Sequence, residues 1–230
     1  MTSLLIVVPT LDSYKDLKQL VDSLLAQTSE DWKVIFVDGD SSTVHRLYLD
    51  TLCRDHANFQ WEKEESIGNG IYGAMNQVFE KDLDPNTWIL FWGSDDMAAS
   101  CDAISRILQK IDQLKGANSE PDLYVCSGQY YSLNSDANGR ADVILGRRSC
   151  FRMDRSLLTA LFTGNTPAHQ ATLFGPRVRR LLNRYDCKYK LAADLDYFLC
   201  LGHKNDVQVF VDDLNLVLRS EEHTSELQSP

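Results

Sequence analysis

The sequence predicts an open, largely parallel α/β sheet flanked by helices. Two patterns point to it. Short, continuous apolar runs of strand length recur along the chain, as strands covered on both faces require. Between them lie segments whose apolar residues repeat at helical spacing, and such alternation is the signature of a mostly parallel sheet. At 230 residues and 43% hydrophobic, the chain is large enough for one sizeable core and shows no sign of disorder or of a fibrous repeat.

The first apolar run is Leu4 to Val8, and Leu17, Leu20, Val21, Leu24 and Leu25 then follow at helical spacing. A second run, Val34 to Val37, leads through a polar turn to a helical segment over Leu47 to Cys53 and an extended Phe59-Gln60-Trp61. A helix from about Ile71 to Phe79 precedes the run Trp88 to Trp92. Ile104, Ile107, Leu108, Ile111 and Leu114 mark the next helix, and Leu123 to Cys126 the next strand. Between Tyr130 and about Thr166 the periodicity weakens and Asn138-Gly139 appears, which predicts a hairpin followed by a long loop. A strand over Ala171 to Phe174, a basic helix after Pro176, a helix from about Ala193 to Leu201 and a strand over Val207 to Val211 complete the pattern.

A formal charge of −10 argues against nucleic acid as a partner, because binding a phosphate backbone requires a concentrated basic surface. The exception is the basic run Arg177, Arg179, Arg180, Arg184, Lys188 and Lys190, which reads either as a solvated helix face or as a contact with phosphate or a membrane surface. The six cysteines show no CxxC or paired spacing, which fits free thiols in a reducing cytoplasm better than a zinc or redox site. The opening apolar run is too short to span a bilayer and lacks a basic flank, so it reads as a strand and not as a signal peptide. Residues 219–230 turn abruptly polar. They look like translated sequencing-adapter sequence and are set aside from the fold, which is expected to be one domain over 1–218.

In an open α/β sheet, ligands bind beyond the carboxyl ends of the strands. Three such ends carry acids: Asp12, the turn Asp38-Gly39-Asp40-Ser41-Ser42, and Ser94-Asp95-Asp96. Adjacent carboxylates repel, so Asp95 and Asp96 call for a cation or hydrogen-bond donors. Mg²⁺ or Mn²⁺ holding a diphosphate would serve, and so would a helix cap near Ser100.

Several ordered motifs sharpen the choice. Gly70-Ile71-Tyr72-Gly73-Ala74-Met75-Asn76, taken with Gln27-Thr28, Val37-Asp38-Gly39, Asp95-Asp96, His169-Gln170-Ala171-Thr172 and Ala192-Ala193-Asp194-Leu195-Asp196, resembles the family 2 glycosyltransferases that build bacterial surface polysaccharides. The resemblance spans nearly all of Leu4 to Leu218. It implies a GT-A fold with a Rossmann-like, mostly parallel sheet, a small antiparallel or loop region in the C-terminal half, and inverting transfer. The donor would be a nucleoside-diphosphate sugar, UDP-linked by expectation, and the acceptor a saccharide or lipid-linked hydroxyl.

Carried over by position, the resemblance gives residues 1–100 mainly to nucleotide binding and 101–218 mainly to the acceptor. Pro9, Thr10, Asp12, Asp38, Asp40, Gly70, Tyr72, Asn76 and Asp95 are expected at the nucleotide-sugar. Asp38 would bond the base, Asp95 and Asp96 with His169 would hold a divalent metal, and Asp194 would be the general base. Asp196 is the lesser candidate for the base, and one of the two acids reads also as a helix cap; Tyr72 and Trp92 read either as stacking or as core residues, and His169 also as an acceptor contact or as a hydrogen-bonded residue beside the strand Ala171 to Phe174. Five positions depart from the family pattern: Leu11, Asp12, Asp40, Gly73 and Gly93, the last at the first position of the usual Asp-x-Asp. A degenerate homologue that binds a saccharide or a partner protein is the alternative.

Overall fold

The computed structural model describes residues 2–65, 70–135, 141–204 and 206–220. Strands β1 (Ser3–Thr10), β2 (Trp32–Asp38), β3 (Phe59–Lys63) and β4 (Thr87–Phe91) run parallel in the spatial order β3-β2-β1-β4. Helices α1 (Leu17–Leu25), α2 (Thr43–Asp55) and α3 (Gly70–Phe79) connect them.

Strand alternation sorts the side chains into two layers. Ile6, Val8, Val34, Phe36 and Leu90 pack under α1, α2 and α4 (Ala103–Gly116), whereas Val7, Ile35, Val37 and Phe91 pack under α3. The α1 stripe Leu17, Leu20, Val21 and Leu24 is buried, each side chain worth roughly 1.5–3 kcal/mol of transfer free energy. Because Asp38 continues the parity of Phe36, its side chain is committed to the α2 layer.

The second half adds the short β5 (Met97–Ala98), β6 (Leu123–Ser135), β7 (Ala141–Ser149), β8 (Thr172–Phe174) and β9 (Val209–Ser220). β8 runs antiparallel between β4 and β6, β9 runs parallel to β6, and β5 and β7 pair antiparallel with β9 and β6. The sheet is therefore mostly parallel with reversed strands in the later half, as expected. Helices α5 (Leu157–Phe162), α6 (Pro176–Leu181) and α7 (Ala193–Gly202) cover the α3 face with Leu157, Val178, Tyr197 and Phe198.

The differences from expectation have local causes. β6 runs past Cys126 and β9 past Val211 because register shifts at Ser127 and Gly128 break the two-residue period that marks a strand. α5 occupies part of the expected long loop, and six residues are too few to show a helical period. Asn138-Gly139 lies outside the described residues. Arg219 and Ser220 pair with Tyr130 and Tyr131 inside β9, while 221–230 lie outside the described residues.

The basic run is less available than its sequence implied. Arg177 is engaged by Asp122 and Asp206. Arg179 is buried and donates to the Thr87 carbonyl at 3.0 Å. Among the described residues, no helix is long and apolar enough to cross a membrane.

Candidate active site

Beyond β4 the chain closes a tight turn. The Gly93 N–H donates to Asp96 Oδ2 at 2.6 Å, and the Asp96 N–H to the Gly93 carbonyl at 3.3 Å. Asp96 is 3% exposed, and burial, followed by the charge of Asp95, pushes its carboxyl up to about 7. Its side chain faces inward and holds the turn. Asp95 is half-buried at the surface of the same turn, and Tyr131 fixes its backbone by donating to the Asp95 carbonyl at 3.0 Å. A Cβ on Gly93 would lie 2.8 Å from Asp95 Oδ1, so the missing side chain at 93 is what lets Asp95 fold over the turn.

Among the described residues, no three His, Cys, Asp or Glu side chains converge as a metal cage. One accessible carboxylate at a strand end nonetheless suits Mg²⁺ or Mn²⁺, which are commonly held by one or two carboxylates together with substrate phosphates. On that donor set Asp95 fits a shared cation.

Because β8 runs against β4, the 3-10 turn His169–Ala171 that precedes it sits at the carboxyl end of β4. Trp92 ties the two by donating its indole N–H to the Gln170 carbonyl at 2.9 Å, a core role and not a stacking surface. His169 is enclosed by Phe91, Phe174, Tyr185 and Phe198, and its Nε2 meets the Tyr185 hydroxyl at 2.8 Å. Burial pushes its pKa down to about 4, against the opposing pull of Asp194. It is a neutral, hydrogen-bonded imidazole inside an aromatic cage.

Asp194 stands in the first turn of α7, half-buried, and its Oδ1 accepts from Tyr72 Oη at 3.3 Å. Tyr72 is itself buried, and desolvation with the neighbouring Asp194 charge pushes its hydroxyl up to about 12. It thus remains a donor throughout the neutral range. Asn76, expected at the donor, has both ends of its amide engaged by backbone. Its amide donates to the Tyr185 carbonyl at 3.0 Å and accepts from the Tyr185 N–H at 2.6 Å, clamping that segment to α3.

At the ends of β1, β2 and β3 a cavity of about 400 Å³ is lined by Pro9, Thr10, Val37, Gly39, Glu64 and Gly70 among others. Gly70 starts α3 with φ 63°, a backbone shape that glycine adopts at little cost. Asp38 does not line this cavity. It is fully buried, with Oδ2 accepting from Arg46 Nε at 2.9 Å and from the Ser41 N–H at 3.2 Å, and with His45 Nε2 3.6 Å from Oδ1. Asp40 is neutralised by Arg46 and Lys63. Asp12 is exposed and accepts from the Ser42 N–H at 2.9 Å, stitching the first two strand ends together.

One residue that sequence reasoning missed lines this cavity: Glu64 follows β3 within the polar run Glu62-Lys63-Glu64-Glu65, where nothing singles it out. Wider openings, such as a groove of about 540 Å³ between α4 and β9, hold none of the predicted site residues.

A mostly parallel sheet curled around acids beyond the end of β4 is the arrangement of GT-A glycosyltransferases. Residues 5–174 match the family described as "Glycosyl transferase family 2", and the chain belongs to that family. It is 28% identical over 192 residues to a "PGL/p-HBAD biosynthesis glycosyltransferase" of Mycobacterium bovis (strain BCG / Pasteur 1173P2), covering 84% of this chain and 66% of that protein. It thus spans just under two thirds of the length of this curated relative. Among solved structures, it resembles S. aureus TarS 1–349 in complex with UDP-GlcNAc (TM-score 0.71, 19% identity, 97% of this chain and 61% of that one). It also resembles the mannosyltransferase PcManGT of Pyrobaculum calidifontis in complex with GDP-Man and Mn²⁺ (TM-score 0.61, 9% identity, 94% and 56%). At these identities the two structures speak for the fold.

Proposed function

We propose that the chain transfers a sugar, with inversion, from a nucleoside-diphosphate sugar to a hydroxyl of a saccharide or lipid-linked acceptor in cell-surface glycoconjugate synthesis. The observation that carries this is the placement of two half-buried carboxylates, Asp95 and Asp194, on separate elements that meet through the His169–Ala171 turn. Membership of family 2, a mycobacterial relative named for glycolipid synthesis, and structural neighbours holding UDP-GlcNAc or GDP-Man support the same reading.

In this mechanism the acceptor oxygen forms a bond to the anomeric carbon while the bond from that carbon to the diphosphate oxygen breaks, and the diphosphate leaves with the electron pair. Asp194 takes the acceptor proton. Tyr72, donating to Oδ1, orients the carboxylate so that Oδ2 meets the hydroxyl. Asp95 would hold a divalent cation, which supplies positive charge to the departing diphosphate. Asp96 keeps Asp95 in place from beneath.

The test is donor binding and slow donor hydrolysis by the purified 230-residue chain with Mn²⁺ and a panel of nucleotide-sugars. Asp95→Asn is expected to weaken metal-supported donor binding. Asp194→Asn is expected to leave binding near wild type and to remove transfer. If no donor binds, the donor reading fails and the degenerate homologue becomes the better account; if Asp194→Asn retains full turnover, the assignment of Asp194 as the base fails.

A further inference from the structure

We propose that the acceptor hydroxyl is carried on an apolar aglycone, an alkyl or aryl group that rests on Leu191 and Leu195 beside the base. The inference deepens the transferase reading above and rests on Asp194 as the base. Leu195 follows Asp194 directly, and its backbone N–H donates to Asp194 Oδ1 at 2.8 Å. Tyr72 bonds the same oxygen at 3.3 Å, so both bonds fall on Oδ1 and Oδ2 is left for a substrate. The apolar side chains that flank Asp194 in sequence open to solvent: Leu191 is 75% exposed, Tyr189 48% and Leu195 38%. A molecule that brings a hydroxyl to Asp194 meets these side chains next.

Folding gives no reason for apolar residues here. Leu191 and Ala192 stand just before the first turn of α7, with Ala192 as its N-cap. Ala192 offers no capping side chain, where Ser, Thr, Asp or Asn would satisfy an open N–H. An apolar residue before the cap ordinarily packs on the fourth residue of the helix, but that position is Asp196. Leu191 therefore lacks the contact that would give it a structural role in α7. The Tyr72–Asp194 bond brings the first turn of α3 to that of α7, and Ile71 of α3 is exposed as well. Single exposed apolar side chains are ordinary, whereas a group of them around a reactive carboxylate marks a binding surface.

The same residues decide between a sugar ring and an apolar group. From Tyr189 to Leu195 the chain reads Tyr-Lys-Leu-Ala-Ala-Asp-Leu. Apart from Asp194, the side chains of this stretch that can hydrogen-bond are those of Tyr189 and Lys190. A sugar ring laid here would press several hydroxyls against leucine, and burying a hydroxyl without a partner is costly. An alkyl or aryl group gains from that contact in proportion to the area it covers. Nor does charge make the segment a phosphate or anionic-lipid site. Lys188 is paired with Asp186, and Asp194 and Asp196 add two acids in the first turn of α7.

Matched acceptors test this: methyl and octyl glycosides of a panel of hexoses, the octyl members below their micelle concentration. They are given to the 230-residue chain with Mn²⁺ and a panel of nucleotide-sugars, and release of nucleoside diphosphate is read. Wild type is compared with two double variants, Leu191→Ser with Leu195→Ser and Leu191→Met with Leu195→Met, each checked for folding by its thermal transition. In wild type, kcat/KM for the octyl glycoside is expected to exceed that for its methyl partner on the order of tenfold, the gain from burying about two methylenes. The first double variant should bring the ratio near one, and the second, which keeps the apolar bulk, should retain it. A ratio near one in wild type, or an unchanged ratio in the first double variant, overturns the apolar site and leaves the transferase reading intact. An unchanged ratio accompanied by lost sedimentation with phosphatidylglycerol vesicles, or by dissociation of a dimer, assigns the surface to a bilayer or to a second copy instead. Release from no donor with any acceptor overturns the transferase reading and this inference with it.

Discussion

Tyr72 Oη lies 3.3 Å from Asp194 Oδ1, joining α3 to the first turn of α7 across 122 residues of sequence. The bond leaves Asp194 one oxygen directed elsewhere and fixes its rotamer. Tyr72→Phe should therefore lower kcat by roughly tenfold, the kinetic equivalent of about 1.4 kcal/mol, with little change in donor KM. A steady-state comparison at saturating donor checks it. A variant with raised KM and unchanged kcat would instead make Tyr72 a donor contact.

Asn76 is a matter of stability. Both ends of its buried amide are used by the backbone of Tyr185. Asn76→Ala strands a buried N–H and a buried carbonyl, and should destabilise the fold by about 2–4 kcal/mol in denaturant unfolding. Asn76→Asp should be at least as harmful, because the donor is lost and a charge is buried.

The buried pair Asp96 and His169 makes opposed contributions to the pH dependence of stability. His169 has its folded pKa lowered to about 4 from 6.5. As pH falls from 6.5 toward 4, the unfolded chain takes up a proton that the folded one refuses, and stability drops. Asp96 has its folded pKa raised to about 7 from 3.8, so its contribution is fully present at low pH and is lost as pH rises through 7. Each effect is on the order of 3 kcal/mol, so they largely cancel between pH 4 and 6.5 in wild type. Asp96→Asn should reveal the acid lability due to His169, and His169→Gln the opposite slope, in chemical unfolding measured across that range.

Gly93 is expected to control cation affinity. Any side chain there displaces Asp95 Oδ1, which sits 2.8 Å from the first carbon added. Gly93→Ala should therefore weaken Mn²⁺-dependent donor binding several-fold while the thermal transition moves little, because the group displaced is the end of a short side chain. Titration of Mn²⁺ against donor binding reads the effect directly.

The parallel half of the sheet was legible because β1, β2 and β4 are continuous apolar runs, and only strands covered on both faces produce them. β6 and β9 were read short because their later halves are bulged and mixed in polarity, so no period survives. In the site, Asp95 stood out as an acid beyond an apolar strand, whereas Asp194 was singled out only by the motif that carries the family resemblance. Asp96, Asn76 and His169 belong to the same motifs yet face inward, and a motif records that a residue type is needed without recording which way it points. Glu64 had no contrast to reveal it, standing among Glu62, Lys63 and Glu65.

The placement of β4 sets the order in which the molecule can assemble. Its partner on one side, β1, precedes it in the chain. Its partner on the other, β8, joins Ile89 to Phe174 only after a long excursion. Closing that loop is entropically costly, so β1 to β4 with their helices should gain protection from hydrogen exchange first, and β8 and its neighbours later. The cavity beyond β1, β2 and β3 belongs to the early half, whereas Asp194 and the cage around His169 arrive with the late one. Under the proposed mechanism, a partly folded chain would then hold a donor pocket before it holds a base, and so could not discharge the donor before the acceptor side is built.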